Sequence, residues 1–180
     1  MEVSEWKTQI QATREQKDAF FKMHVQSPLP LEEREKFKGL SYYPPAPEYR
    51  FEMPLYEHEE KKTLKVEDTQ GKVRVFLRWG EFRFTIKGTH CTLQAYKSAP
   101  EEERLFIPFR DATSGKETYG AGRYLDLEPG HDVTSEGTWM IDFNHAYNPW
   151  CAYSEHFACP YTPSENWLEA AIYAGEKNYR

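Results

Sequence analysis

Residues 63–97 read TLKVEDTQGKVRVFLRWGEFRFTIKGTHCTLQAYK, and through most of this stretch apolar and polar residues alternate. A period of two is typical of strands that bury one face. The turn formers Gln70 and Gly71 separate the first two runs, and Gly80 and Gly88 interrupt the pattern twice more. The stretch therefore predicts four successive antiparallel hairpin strands, at 64–67, 73–79, 82–86 and 91–95.

The chain before this stretch predicts helices and an extended strap. An irregular apolar stripe indicates an amphipathic first helix from Ser4 to about His24. A second helix of about two turns follows, because Pro30 suits a helix start and Gly39 suits the position just past a helix end. Four prolines in residues 42–54 exclude a helix there, so we expect an ordered crossing segment.

The chain after this stretch predicts further strands. The segments RLFIPFR, residues 104–110, and TYGAGRYLDL, residues 118–127, each suit a strand. The C-terminal segment NWLEAAIYAGEKNYR, residues 166–180, fits a helix or a strand by its apolar spacing, and we favour a closing strand.

These elements together predict an α+β fold that is mostly β: an antiparallel sheet curled into a barrel or roll, with one or two N-terminal helices. A chain of 180 residues is long enough to bury one substantial core. We therefore expect a single domain over residues 1–180, in which the helical segment 1–39 packs on the sheet. The 12 Tyr, 11 Phe and 5 Trp supply core volume and argue against disorder.

Charge and composition exclude several classes of partner. The 29 acidic residues outnumber the 23 Lys and Arg, and no basic stripe is present, so nucleic acid is not an expected partner. No apolar run approaches the roughly 18 residues of a membrane helix, and the first residues lack an export signal, so we expect no membrane association and a cytoplasmic location. Three cysteines without an export signal predict reduced thiols.

The segment FRDATSGKETYGAGRYLDL, residues 109–127, has two interpretations. Turn formers around Gly115 predict a hairpin with a bulge, in which polar side chains bond only their own backbone. Alternatively, Arg123 with the hydroxyls of Ser114 and Thr118 forms a clamp for an anion or carboxylate, since a guanidinium binds such groups bidentately.

The segment DFNHAYNPWCAYSEHFACP, residues 142–160, collects groups that metals and nucleophilic enzymes use. His145, Cys151, His156 and Cys159 lie within fifteen positions, but their spacing matches no common zinc pattern, and we predict no metal site. Cys151 is a weak candidate nucleophile, because a thiol needs a histidine or a positive charge to lower its pKa. Asp142 is a weak candidate catalytic carboxylate, and it suits equally well the binding of neighbouring backbone donors.

Three motifs, taken in order, resemble those of a known family. FIPFRDATSGKETYGAGRYLDL, IDFNHAYNPWCAYSEHFACP and PSENWLEAAIYAGEK, preceded by SPLPLEEREKFKGLSYYP, are similar to the bacterial and archaeal domain-of-unknown-function family numbered 1684. The resemblance runs from Trp6 to Lys177 and implies no defined activity or cofactor. Its pattern omits the histidines and leaves Cys151 and Cys159 as the pair of interest, adjacent in space. The polar positions that it marks include Asp111, Ser114, Thr118, Tyr119, Arg123, Asp142, Asn144, Tyr147 and Asn148.

These motifs are more polar than packing alone requires, since buried polar groups are costly unless each finds a partner. Our leading hypothesis is a ligand-binding or enzymatic pocket for a small acidic molecule where the hairpin 111–124 meets the loop 142–166. Arg123 would bind the acid, Ser114, Thr118 and Tyr119 would contribute from the hairpin, and Asp142, Asn144, Tyr147 and Asn148 from the loop. The alternatives are a non-catalytic structural or interaction module and a cysteine-dependent hydrolase. No cofactor is predicted.

Overall fold

The computed structural model describes all 180 residues, and an antiparallel sheet dominates it. The strands are β1 (Arg50–Met53), β2 (Tyr56–Glu57), β3 (Thr63–Glu67), β4 (Val73–Ile86), β5 (Thr89–Lys97), β6 (Leu105–Phe109), β7 (Arg123–Leu127) and β8 (Trp139–Asp142). The helices are α1 (Val3–Met23), α2 (Leu31–Arg34) and α3 (Pro129–Asp132), with short 3-10 turns at Pro47–Tyr49, Phe143–His145, Trp150–Ala152 and Ser164–Asn166.

The main sheet has six strands. Five of them lie in the order β2-β4-β5-β6-β7, and the sixth, β3, which follows β2 in the chain, also pairs with β4. The short strands β1 and β8 form a separate antiparallel pair. No pairing joins β7 to β2 or β3, so the sheet stays open. The α+β, mostly antiparallel architecture is thus confirmed, whereas closure into a barrel is not.

One predicted strand break is wrong. Residues 73–86 form a single strand, because Gly80 sits in a bulge of the β4–β5 pairing rather than in a turn. A Cβ at Gly80 would lie 2.9 Å from the carbonyl oxygen of Tyr56, so glycine there permits β2 to approach β4. The turn predicted at Gly88 is present, between β4 and β5.

The core lies between the main sheet, the β1–β8 pair and the C-terminal segment. It contains Phe82, Ile107, Phe109 and Phe143, none of which is exposed, and rings meet edge to face, as Phe109 and Phe143 do at 5.4 Å. Asn166 ties two strands to this core: its side chain bonds the backbone N–H and carbonyl of Gln94 and the carbonyl of Pro108.

Of the two predicted N-terminal helices only the second departs from expectation, and the short helix α3 was not predicted. Helix α1 begins and ends within one residue of the predicted bounds and buries Trp6, Ile10, Arg14 and Phe21. Helix α2 has four residues instead of two turns, since the chain turns away so that Phe37 can pack beside Phe21. None of the helices combines the length and the apolar character that a membrane span requires.

The C-terminal segment is not the closing strand that we predicted. It makes only isolated bridges, between Arg110 and Trp167 and between Tyr42 and Glu176. The carbonyl groups of Ile172, Ala174 and Glu176 accept hydrogen bonds from a side chain, Arg123, in place of a neighbouring strand.

Candidate functional site

Arg123 begins β7 and is wholly buried. Its Nη1 donates to the carbonyls of Ala174 and Glu176, and its Nη2 donates to the carbonyl of Ile172 at 3.0 Å and to Asp111 Oδ1 at 3.5 Å. Burial lowers the pKa of Arg123, and the carboxylate of Asp111 opposes that shift. In an extended segment alternate carbonyls point the same way. The Arg123 guanidinium therefore donates to the carbonyls of the C-terminal segment that a neighbouring strand would otherwise bond.

The hairpin residues that we paired with Arg123 also bond within the hairpin. Asp111 accepts from Thr113, from Ser114 at 3.2 Å and from the backbone N–H of Ile172 at 2.7 Å. Thr118, which is fully buried, bonds the Thr113 hydroxyl at 2.9 Å. Tyr119 is half-buried beside Tyr161, and burial raises its pKa. These contacts account for the polar character of the hairpin.

The loop after β8 is held by its own polar side chains. Asp142 accepts from the Trp6 indole at 2.7 Å and from the backbone N–H of Asn144, and its carboxylate lies 3.4 Å from Arg50 Nε. Asn144 bonds both the N–H and the carbonyl of Ala46. Asp142 thus joins α1, β1 and the loop.

Asn148 joins this loop to the C-terminus. Its backbone N–H donates to Glu176 Oε2 at 2.6 Å, and its side chain donates to the carbonyl of Lys177 at 3.0 Å. These bonds hold the loop 142–148 and the C-terminal residues in a fixed relative position.

Cys151 and Cys159 form a disulfide with Cα atoms 6.2 Å apart, whereas Cys91 is free and buried. The expectation of reduced thiols is wrong for this pair, because an odd count excludes neither a pair nor a buried third cysteine. Their predicted adjacency is present. A disulfide sulfur is not a nucleophilic thiolate, so Cys151 offers no catalytic nucleophile in this state. No cluster of three metal-ligating side chains forms, and His145 and His156 remain apart from such a set.

A small cavity of about 50 Å³ lies between α1 and the loop 142–148. Its walls include residues of α1, the strap, the loop and the C-terminal segment: Ile10, Thr13, Arg14, Lys17, Tyr42, Asn144, His145, Ala146, Tyr147 and Glu176. Asn144 and Tyr147 are predicted site residues. Arg123, Ser114, Thr118, Tyr119, Asp142 and Asn148 do not line this cavity.

Arg14 is the distinctive group of this cavity. It is 9% exposed, and its Nη1 donates to the carbonyl of Tyr43 at 2.8 Å. The Tyr42 ring lies 4.4 Å from its guanidinium carbon. Its Nε and Nη2 atoms are buried and have no hydrogen-bond partner, and neither has the hydroxyl of Tyr42. Buried donors are normally paired, so this unpaired set needs an explanation.

The other charges around the cavity are already matched. Glu176 is 1% exposed and accepts from Lys17, from Tyr153 at 2.9 Å and from the Asn148 N–H. Burial lowers the pKa of Arg14, opposed by Tyr42 and by the carboxylates of Asp142 and Glu176. Burial and the charge of Glu176 raise the pKa of Tyr42, so its hydroxyl stays a donor.

Sequence reasoning missed Arg14, Lys17 and Tyr42, and it favoured a solvated surface position for Glu176, which is buried. One signal was available for Arg14: it follows Trp6 and Ile10 at four-residue intervals and therefore occupies the apolar stripe of α1. An arginine at such a position is buried and needs partners. Nothing local marks Glu176, which reaches the cavity only through the path of the C-terminal segment.

Comparison with known proteins agrees with the motifs. The family described as "Protein of unknown function (DUF1684)" matches residues 35–177, which include Tyr42, Asn144, Tyr147 and Glu176. A solution NMR structure of an uncharacterized protein from Haloarcula marismortui is 43% identical, with a TM-score of 0.72, covering 97% of this chain and 95% of that one. No curated protein matches. The chain belongs to the family of proteins of unknown function numbered 1684.

Proposed function

We propose that this protein binds a small acidic molecule whose carboxylate is held by Arg14 in the cavity between α1 and the loop 142–148. The observation that carries the proposal is the pair of unpartnered, buried donors Nε and Nη2 of Arg14. These two atoms lie on one edge of the guanidinium. An edge with two parallel N–H groups matches the two oxygens of a carboxylate.

The surroundings hold this edge in place before any ligand arrives. The bond from Nη1 to the Tyr43 carbonyl and the adjacent Tyr42 ring restrict the side chain, so little rotamer freedom is left to lose on binding. The Tyr42 hydroxyl adds a further free donor. The site thus presents several donors that are fixed in position.

Charge balance favours an anion as the ligand. The carboxylates of Glu176 and Asp142 are paired with Lys17 and Arg50, which leaves the charge of Arg14 without a dedicated partner. The oxygens of both carboxylates already accept hydrogen bonds. A ligand group that accepts hydrogen bonds therefore fits better than an amine.

This proposal keeps the acidic ligand of the sequence analysis but moves its recognition from Arg123 to Arg14. Both terminal nitrogens of Arg123 already donate to carbonyls. The free edge of Arg14 is itself covered in this conformation, so a ligand reaches it after a neighbouring side chain rotates. Lys17 suits that movement because its side chain is long and 28% exposed.

The test is calorimetric titration with acetate, benzoate and succinate at constant ionic strength, with potassium chloride as the reference salt. We expect saturable binding of at least one acid. A hydrogen bond to a charged group contributes about 1.5–3 kcal/mol, so Arg14→Lys should weaken binding by about 10- to 100-fold. Lys22→Gln, an exposed position on the same helix, should leave affinity unchanged.

Ligand-free thermal unfolding shows whether each variant is folded. Equal affinity of wild type and a folded Arg14→Lys variant would contradict the proposal, as would the absence of binding to every acid tested.

A second candidate is a non-catalytic structural or interaction module. It is favoured by the hairpin, where the polar groups of Asp111, Thr113 and Thr118 bond one another inside the fold. The two candidates differ in the free edge of Arg14, which a purely structural role leaves unused.

A further inference from the structure

The disulfide lies at the edge of an open groove that shares no lining residue with the Arg14 cavity. Cys151 forms part of the wall of this groove, whose volume is about 490 Å³, together with His156 and Arg180. Cys151 is partly exposed, whereas Cys159 is 8% exposed. A reagent that enters the groove therefore meets the sulfur of Cys151 first.

The surroundings of Cys151 suit a thiol as well as a disulfide. The carbonyl oxygen of Phe157 lies 2.9 Å from its sulfur, and the hydroxyl of Thr69 lies 3.3 Å from it. In the dithiol form the S–H group has an acceptor in Phe157, and the sulfur has a donor in Thr69. The Phe157 carbonyl is thus an acceptor for the thiol form alone, whereas the Thr69 hydroxyl can donate to the sulfur in both oxidation states.

The loop 150–159 is also anchored without the covalent bond. The backbone N–H of Thr69 donates to the carbonyl of Cys159 at 3.0 Å, and Arg74 Nη2 donates to the carbonyl of Ala158 at 2.8 Å. The rings of Trp150 and Phe157 pack edge to face at 5.1 Å. Reduction thus leaves several contacts that keep the two sulfurs near each other.

We propose that Cys151–Cys159 is a redox-active site that undergoes reversible exchange with a small thiol. A thiolate attacks Cys151 Sγ, the Cys151–Cys159 bond breaks, and Cys159 leaves as a thiolate that takes up a proton. A second thiolate then attacks the external sulfur of the mixed disulfide and displaces Cys151. The protein gains two electrons and two protons, and two small thiols become one small disulfide.

The groove favours a small thiol over a large charged partner. A volume of this size accommodates a small molecule. Its charges are mixed, since Glu155 lies beside His156 and Arg180 is paired with Glu33 at 2.9 Å. We therefore expect neutral and anionic thiols to react at similar rates.

The test is native-state exchange followed by mass spectrometry. Oxidised protein is incubated with 2-mercaptoethanol or reduced glutathione, quenched with iodoacetamide, and digested. We expect Cys151 and Cys159 to become labelled together without denaturant, and oxidised glutathione to reverse the reaction. Cys91 should stay unlabelled because it is buried in β5.

Two single variants identify the attacked sulfur. Cys159→Ser leaves Cys151 as a free thiol, and Cys151→Ser leaves Cys159. With oxidised glutathione, Cys151 in the first variant should form a mixed disulfide at least tenfold faster than Cys159 in the second. Circular dichroism confirms that each variant is folded.

Three results would overturn the proposal: reduction that occurs only as fast as global unfolding, equal rates in the two single variants, or a dithiol that oxidised glutathione fails to close.

Discussion

Replacing Asp111 by asparagine tests whether the buried pair with Arg123 orders the C-terminal segment. Asparagine keeps the shape of the side chain but removes its charge and turns one acceptor into a donor. The affected bonds run to the N–H of Ile172 at 2.7 Å and to Arg123 at 3.5 Å, and both side chains of the ion pair are fully buried.

The magnitude follows from the uncompensated charge. Breaking a buried ion pair costs about 3–5 kcal/mol. The three carbonyls that also contact Arg123 offset part of that charge, so we expect about 3 kcal/mol, at the lower end of the range. For a chain of this size that corresponds to a fall of about 6–12 °C in Tm.

The assay is urea unfolding at pH 7, with Glu59→Gln at an exposed position as the matched control. A loss below about 1 kcal/mol at an unchanged slope would refute the reasoning. The double variant Asp111→Asn, Arg123→Met provides a second check: it should be less destabilised than the sum of the single variants, because the uncompensated charge is gone.

Further predictions concern acid stability, the disulfide and a glycine. Burial raises the pKa of Asp68, but hydrogen bonds from two backbone N–H groups and from the Arg74 guanidinium lower it by more, so the net pKa is lowered. The stability that this group contributes is fully present above its unfolded pKa and is lost as the pH falls below about 4. Asp68→Asn should therefore make the stability measured by urea unfolding depend less on pH in the acid range. Replacing both Cys151 and Cys159 by serine opens a loop with a separation of 8 residues, and calorimetry should show a loss of about 2–3 kcal/mol. Gly122→Ala should cost about 2–5 kcal/mol by chemical denaturation, because φ is +102° and a Cβ would lie 2.5 Å from a carbonyl oxygen. Gly71→Ala, with open space at φ +82°, should cost only about 1–2 kcal/mol.

The sequence predicted the elements whose signal is local. Alternation over residues 63–97 identified β3 to β5, and the apolar stripe identified α1. Gly80 misled the prediction because a bulge and a turn both favour glycine, and only the partner strand distinguishes them. Local periodicity did not show that the C-terminal segment bonds a side chain rather than a strand.

The candidate site was harder to predict for the same reason. The polar motifs included Asn144 and Tyr147, which line the cavity from one loop. Arg123 and Arg14 are both buried arginines. The residues around them in the sequence do not reveal which guanidinium donates with both terminal nitrogens to backbone carbonyls. The paths of the C-terminal segment and of α1 determine that difference.

The most direct test of the central claim observes the free edge of Arg14 itself. The Nε–H resonance of Arg14, assigned by its loss in Arg14→Lys, is followed by NMR during titration with a carboxylate that binds. Two N–H···O bonds to a carboxylate should move this proton downfield in a saturable manner, with the same dissociation constant as calorimetry. Potassium chloride at equal ionic strength should leave it in place. An unchanged Arg14 resonance at saturation would contradict the account, because the acid would then be bound elsewhere.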